Sequence, residues 1–113
     1  MIKGKIVLVP FPFDDLSSTK LRPAACLTDA VGAHHHVVLA FITSQTPRDP
    51  VDSDLLLYAT DPDFAQTGLR VTSTLRLHRM LTVTTSLIRR ELGELSTALQ
   101  TEVDGKLRRL FKL

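Results

Sequence analysis

Tryptophan is absent from this chain, which also holds one tyrosine and one cysteine among its 113 residues. A single cysteine excludes an internal disulfide and a cysteine-built metal cluster. Cys26 lies between Ala25 and Leu27, the setting of a buried small hydrophobe rather than a reactive thiol, and this suits a reducing compartment. With aromatics at 5% the core must be largely aliphatic, supplemented by Phe11, Phe13, Phe41, Phe64 and Phe111. No apolar run approaches the roughly 20 residues a membrane-spanning helix needs. Met1-Ile2-Lys3-Gly4-Lys5 does not open a secretory leader. A cytoplasmic protein with no membrane partner is expected. Neither sign of charge dominates: a net charge of +2 permits a polyanionic partner without requiring one.

What is present reads as an ordinary globular chain, 43% hydrophobic and 23% charged, forming one domain over residues 1–113. Lys5-Ile6-Val7-Leu8-Val9 is a β-branched run ended by Pro10, a first strand, which Phe11-Pro12-Phe13 prolongs in extended form. Asp14 to Lys20 is polar and turn-like, and Arg22 to Thr28 supplies a second strand. Gly32 marks a turn before the apolar strand His36 to Thr43. Pro47 and Pro50 make a loop of the next stretch. Further strands are expected at Asp54 to Ala59, Thr72 to His78 and Leu87 to Leu92. Leu99, Val103, Leu107 and Leu110 then recur at helical spacing, with Ser96 or Thr97 as cap. Five to seven short strands and one terminal helix predict a small barrel or sandwich.

His34-His35-His36 has the look of a metal site, but strand alternation would turn His35 away from its neighbours. No acidic residue or cysteine lies close enough in sequence to complete a ligand set. Neither a metal nor any other cofactor is expected.

Several segments in order carry a more specific signal. They are Gly4-Lys5-Ile6-Val7-Leu8-Val9-Pro10-Phe11-Pro12-Phe13, then Asp15 to Ala24 with its Lys20-Leu21-Arg22-Pro23-Ala24 end, then Ile42-Thr43-Ser44-Gln45. Gly68-Leu69, Ser73-Thr74-Leu75-Arg76-Leu77 and Leu92-Gly93-Glu94-Leu95-Ser96 follow. Together they resemble the MazF/PemK family of toxins. The resemblance implies an SH3-like small barrel, mainly β with a C-terminal helix, working as a homodimer. It also implies metal-independent cleavage of single-stranded messenger RNA and inhibition by a cognate antitoxin, with DNA reached only through that antitoxin.

In that chemistry the ribose 2′-OH attacks the adjacent phosphorus, leaving a 2′,3′-cyclic phosphate and a 5′-OH. The step needs a proton acceptor, a proton donor and positive groups for the phosphoryl oxygens. The resemblance places Arg22 and Thr43 in the catalytic set. A guanidinium matches phosphate oxygens as a planar fork, so Arg22 is assigned phosphate stabilisation first and proton donation second. Thr43 could bond a phosphate oxygen or merely its own backbone.

One position departs from the family pattern. Arg76-Leu77-His78 carries histidine where relatives place an acid. Residues two apart in a strand share a face, and histidine titrates near neutrality, so His78 is a candidate base alongside Asp14 and Asp15. Lys20, Ser44, Gln45, Arg76 and Phe13 are expected RNA contacts, Phe13 by stacking unless it serves the core. Two alternatives stay open: a non-cleaving module that binds RNA or the antitoxin, favoured by the missing acid, and a topoisomerase-poisoning toxin, disfavoured by Arg22 with Thr43.

Overall fold

The computed structural model describes residues 1–10 and 20–113. Among these, strands β1 (Lys5–Pro10), β2 (Leu21–Cys26), β3 (His36–Thr43), β4 (Asp54–Leu57), β5 (Ser73–Thr84) and β6 (Arg90–Glu94) precede one helix, α1 (Thr97–Phe111). They form a six-stranded antiparallel sheet in the order β4-β5-β3-β2-β1-β6. The sheet curls, giving the mainly β fold with a C-terminal helix that the sequence leads one to expect.

Alternation along each strand sorts the apolar residues onto two faces. Ile6, Ala25, Ala40, Ile42, Leu55 and Leu75 pack on one side, together with Val103 of α1. Val7, Val9, Ala24, Cys26, Leu39 and Phe41 pack on the other, joined by Leu81 and Val83 from the far half of β5. Both faces are covered, which is why β3 reads Val37-Val38-Leu39-Ala40-Phe41-Ile42 without a polar residue. Cys26 is 1% exposed. Burial first, and then the charges of Glu91 and Asp29, push its thiol up to about 11, so it is the inert thiol anticipated.

The helix starts where its cap dictates. Ser96 Oγ accepts a hydrogen bond from the Leu99 N–H at 3.1 Å, satisfying one of the free amides of the first turn. Val103 is buried, Leu99 and Leu107 are half-buried against the same core, and Leu110 overhangs it, exposed. No helix among the described residues is long and apolar enough to cross a membrane.

Several boundaries differ from expectation. β5 does not stop at His78 but runs to Thr84, and its second half pairs with β3 from His36 to Ala40. The last expected strand starts later, at Arg90, after a 3₁₀ turn over Thr85–Leu87. His34 and His35 belong to a turn closed by a Val31–His36 bridge, so strand alternation does not govern them. The rings of His34 and His36 stand 5.9 Å apart. No group of three or more potential ligand residues gathers among the described residues. The expected extension at Phe11-Pro12-Phe13 and the turn after it lie outside the described residues.

Candidate functional site: a cleft where two central strands part

Two irregularities in the sheet make the site. The first lies between β2 and β3, which pair only from Ala24, opposite Phe41, to Cys26. Beyond that point Ile42 and Thr43 keep their pairing with Leu75 and Thr74 of β5 on the other side. The start of β2 pairs with β1, Val9 opposite Arg22 and Leu8 opposite Pro23. Pro23 has no N–H to extend a ladder, and the two strands diverge there. Counting the register past Ala24 sets Pro23 against Ile42 and Arg22 against Thr43, where the β2–β3 ladder has ended. A cleft of about 420 Å³ lies there, lined by Arg22, Phe41, Thr43, Gln45, Arg48, Arg76 and Arg79.

The second irregularity lies between β3 and β5. Ala40 faces Met80 and the next residue, Phe41, faces Arg76, so Leu77, His78 and Arg79 have no partner in β3. Such a bulge re-aims side chains. Simple alternation would set His78 beside Arg76; instead Arg79 joins Arg76 in lining the cleft. His78 is exposed and lies outside that lining.

Arg76 is fixed from behind. Its Nε donates to Asp54 Oδ1 at 3.0 Å and its Nη2 to Asp54 Oδ2 at 3.3 Å, and the Asp54 side chain is only 6% exposed. Burial raises the Asp54 carboxyl. The hydrogen bonds from Arg76 and the Val51 N–H, with the charges of Arg76 and His78, outweigh that and hold it below the ordinary carboxylate range. Arg76 therefore enters the cleft as a braced guanidinium. Asp54→Asn is expected to cost about 2 kcal/mol, because it removes one charge of a largely desolvated pair. The folded value lies below the unfolded one of about 3.9. The Asp54 contribution is therefore complete above about pH 4 and lost as pH falls toward the folded value. Urea midpoints of wild type and variant should differ constantly from about pH 7 to pH 5 and converge in stronger acid.

Thr43 is tied differently. Its Oγ1 accepts from the Gln45 N–H at 3.1 Å, which orients the hydroxyl and leaves its hydrogen to donate. The backbone bond and a ligand contact are thus compatible in one side chain.

A second cleft, of about 320 Å³, lies on the other flank of Arg22. Arg22 and Ile42 belong to both clefts, and the second adds Leu8, Pro23, Ser44, Leu69, Arg70, Ser73, Arg90 and Leu92. Arg22, half-buried, is the partition between them.

The model of the PemK-like, MazF-like toxin of type II toxin–antitoxin systems matches residues 2–111 of this chain. The chain belongs to this toxin family. No curated protein matches it significantly in sequence. Solved structures do match in fold. The toxin MazF-mt6 of Mycobacterium tuberculosis superposes with a TM-score of 0.72 at 20% identity, covering 96% of this chain and 97% of that one. An endoribonuclease solved with its cognate antitoxin from a mycobacterial species gives 0.70 at 17% identity, over 100% and 96% of the two chains. MazF of Deinococcus radiodurans gives 0.68 at 20% identity, over 98% and 94%.

In this toxin the sequence-derived set divides. Arg22, Thr43, Gln45 and Arg76 meet in the first cleft, and Ser44 lines the second with Arg22. Lys20 is exposed ahead of β2 and lines neither. Phe13, Asp14 and Asp15 lie outside the described residues. Arg48, Arg79 and the brace at Asp54 escaped the sequence reading. Arg48 sits in the loop already marked by Pro47 and Pro50, so its place was half visible. Arg79 depends on a bulge that no local pattern announces.

Proposed function

We propose that this toxin is a metal-independent endoribonuclease that cuts single-stranded messenger RNA. The observation that carries this reading is that Arg22 and Thr43 line one arginine-rich cleft, in a chain of this family. The fold it shares with a solved endoribonuclease that has a cognate antitoxin supports it. Arg22 holds the scissile phosphate through a bidentate fork and stabilises charge on its oxygens, while the Thr43 hydroxyl donates to one of them. As the 2′-oxygen bonds to phosphorus, the bond to the 5′-oxygen breaks. The 2′ proton passes to a base and the leaving oxygen takes a proton from an acid, the second duty of Arg22. The products are a 2′,3′-cyclic phosphate and a 5′-OH. We place the toxin in the cytoplasm, as a homodimer restrained by a small acidic antitoxin whose tail folds on binding. DNA is reached only through that antitoxin.

The test is to incubate the protein with a long RNA in the presence of chelator and map the ends. Discrete cuts with 5′-OH termini, lost in Arg22→Ala, are the expected result. RNA that stays intact overturns the reading. One observation favours a second reading, a non-cleaving RNA-binding module: no carboxylate or imidazole lines the cleft among the described residues. Intact RNA that is nevertheless retained would select it.

We assign the base to His78, which is exposed on the strand that carries Arg76 and Arg79 and stands outside the cleft lining, so the bound RNA must reach it beyond those arginines. His78→Gln should then lower kcat/KM while leaving the affinity for uncut RNA unchanged. A variant that cuts at the wild-type rate would transfer the role to Asp14 or Asp15.

A further inference from the structure

The second cleft is as deliberately built as the first. Its outer wall is the turn carrying Arg70, and that turn is locked onto β6 by backbone contact. A Cβ at Gly68 would stand 2.0 Å from the Leu92 carbonyl oxygen, and one at Gly93 would stand 2.2 Å from the Gln66 carbonyl oxygen. Thr67, fully buried, ties the turn from within: its hydroxyl donates to the Phe64 carbonyl at 2.6 Å and accepts from the Leu69 N–H at 3.2 Å. Arg70 is thereby carried on a fixed support across from Arg90 of β6.

The charge of the cleft is one-sided. Arg22, Arg70 and Arg90 line it, with Ser44 and Ser73, and among the described residues no carboxylate does. The acids of β6 are engaged elsewhere, because Lys5 holds Glu91 at 3.0 Å and Glu94 at 3.4 Å. Between the arginines the floor is apolar, made by Leu8, Leu69 and Leu92. A cationic rim over an apolar floor fits a nucleotide, with its phosphate on the guanidinium groups and its base on the aliphatic surface.

From this we infer that the cleft between Arg70 and Arg90 is a subsite for a nucleotide flanking the scissile phosphate. The inference rests on the cleavage reading above. If Arg22 holds the scissile phosphate, the strand that leaves it on one side enters this cleft directly, since Arg22 is the shared wall. Arg70 and Arg90 then act in binding. They extend the grip along the RNA and take no part in bond breaking.

The test begins by mapping the cut in a long RNA. Short oligonucleotides bearing that site are then extended on the 5′ or the 3′ side alone. In the wild type, extension on one side should raise kcat/KM on the order of tenfold. In the double variant Arg70→Ala, Arg90→Ala that gain should fall to about one, whereas Arg108→Ala on α1 should leave it intact. Both residues are exposed, so the variant should fold. A gain that survives the double variant, or an equal loss on short and long substrates, overturns the subsite. Binding gives a readout independent of cleavage. With a 12-nucleotide RNA carrying 2′-deoxy at the cut position, the slope of log affinity against log salt should fall by about 1.4 in the double variant. If the wild type leaves RNA uncut, the cleavage reading fails, and the slope is then measured with an unmodified 12-nucleotide RNA, which still judges the subsite. An unchanged slope overturns it.

Discussion

Arg22→Ala should lower kcat for RNA cleavage by roughly 10²–10³-fold, the scale on which a single preorganised charge-stabilising donor acts. The effect should appear in kcat more than in KM. Arg48, Arg76 and Arg79 remain in the first cleft to attract the polyanion, and Arg70 and Arg90 remain in the second. The strand should stay in place, because the pairing that secures β2 on both sides is made at Ala24 and Ala25. Arg22→Lys should fall between, since an ammonium keeps the charge and loses the planar fork. Quantifying 5′-OH ends per minute for the three proteins, with circular dichroism to confirm folding, checks this. Cleavage by Arg22→Ala at the wild-type rate would remove Arg22 from the mechanism.

Gly68→Ala should be the most damaging single methyl in the described part of the chain. Gly68 has φ +74, a left-handed conformation that costs a non-glycine residue about 1–2 kcal/mol. The added carbon would also meet a backbone carbonyl at 2.0 Å, so the turn must lift from β6, for roughly 1–3 kcal/mol more. A small domain has only about 5–15 kcal/mol in all, and Tm should fall by more than about 10 °C. Gly32 supplies the control: its φ is also +74 but nothing lies within 4 Å of its Cβ position. Gly32→Ala should therefore lose only the torsional part, about 1 kcal/mol. Equal melting temperatures for the two variants would show that the contact with Leu92 does not matter.

Much of this architecture could be read from local pattern. The strand His36–Thr43 is a continuous apolar run with a turn before it, and its limits are as expected. Ser96 and the spacing of Leu99, Val103 and Leu107 announce the helix. The second half of β5 was missed because Arg79 and the partly exposed Met80-Leu81-Thr82-Val83 follow no clean alternation, and pairing with β3 alone makes them a strand. Arg22 and Thr43 were legible only through the family resemblance; opposite placement across a parting of strands is a matter of register, which neither segment encodes alone. Asp54 shows the same limit. As a residue it opens a short strand, and its partner Arg76 becomes visible only when β4 lies beside β5.

The buried thiol of Cys26 has a use that follows from its position. It is on the same strand as Arg22, paired with Leu39 of β3 and bonded through its carbonyl to the Gly4 N–H, and shut away from reagents on the sheet's second face. Alkylation by an external reagent must wait until that strand opens, so the modification rate counts openings of the segment that carries the anchor. With no second cysteine in the chain, such a trace has a single origin. The molecule thus carries its own clock for the loosening of its central strand, readable with RNA or antitoxin present and without any introduced label.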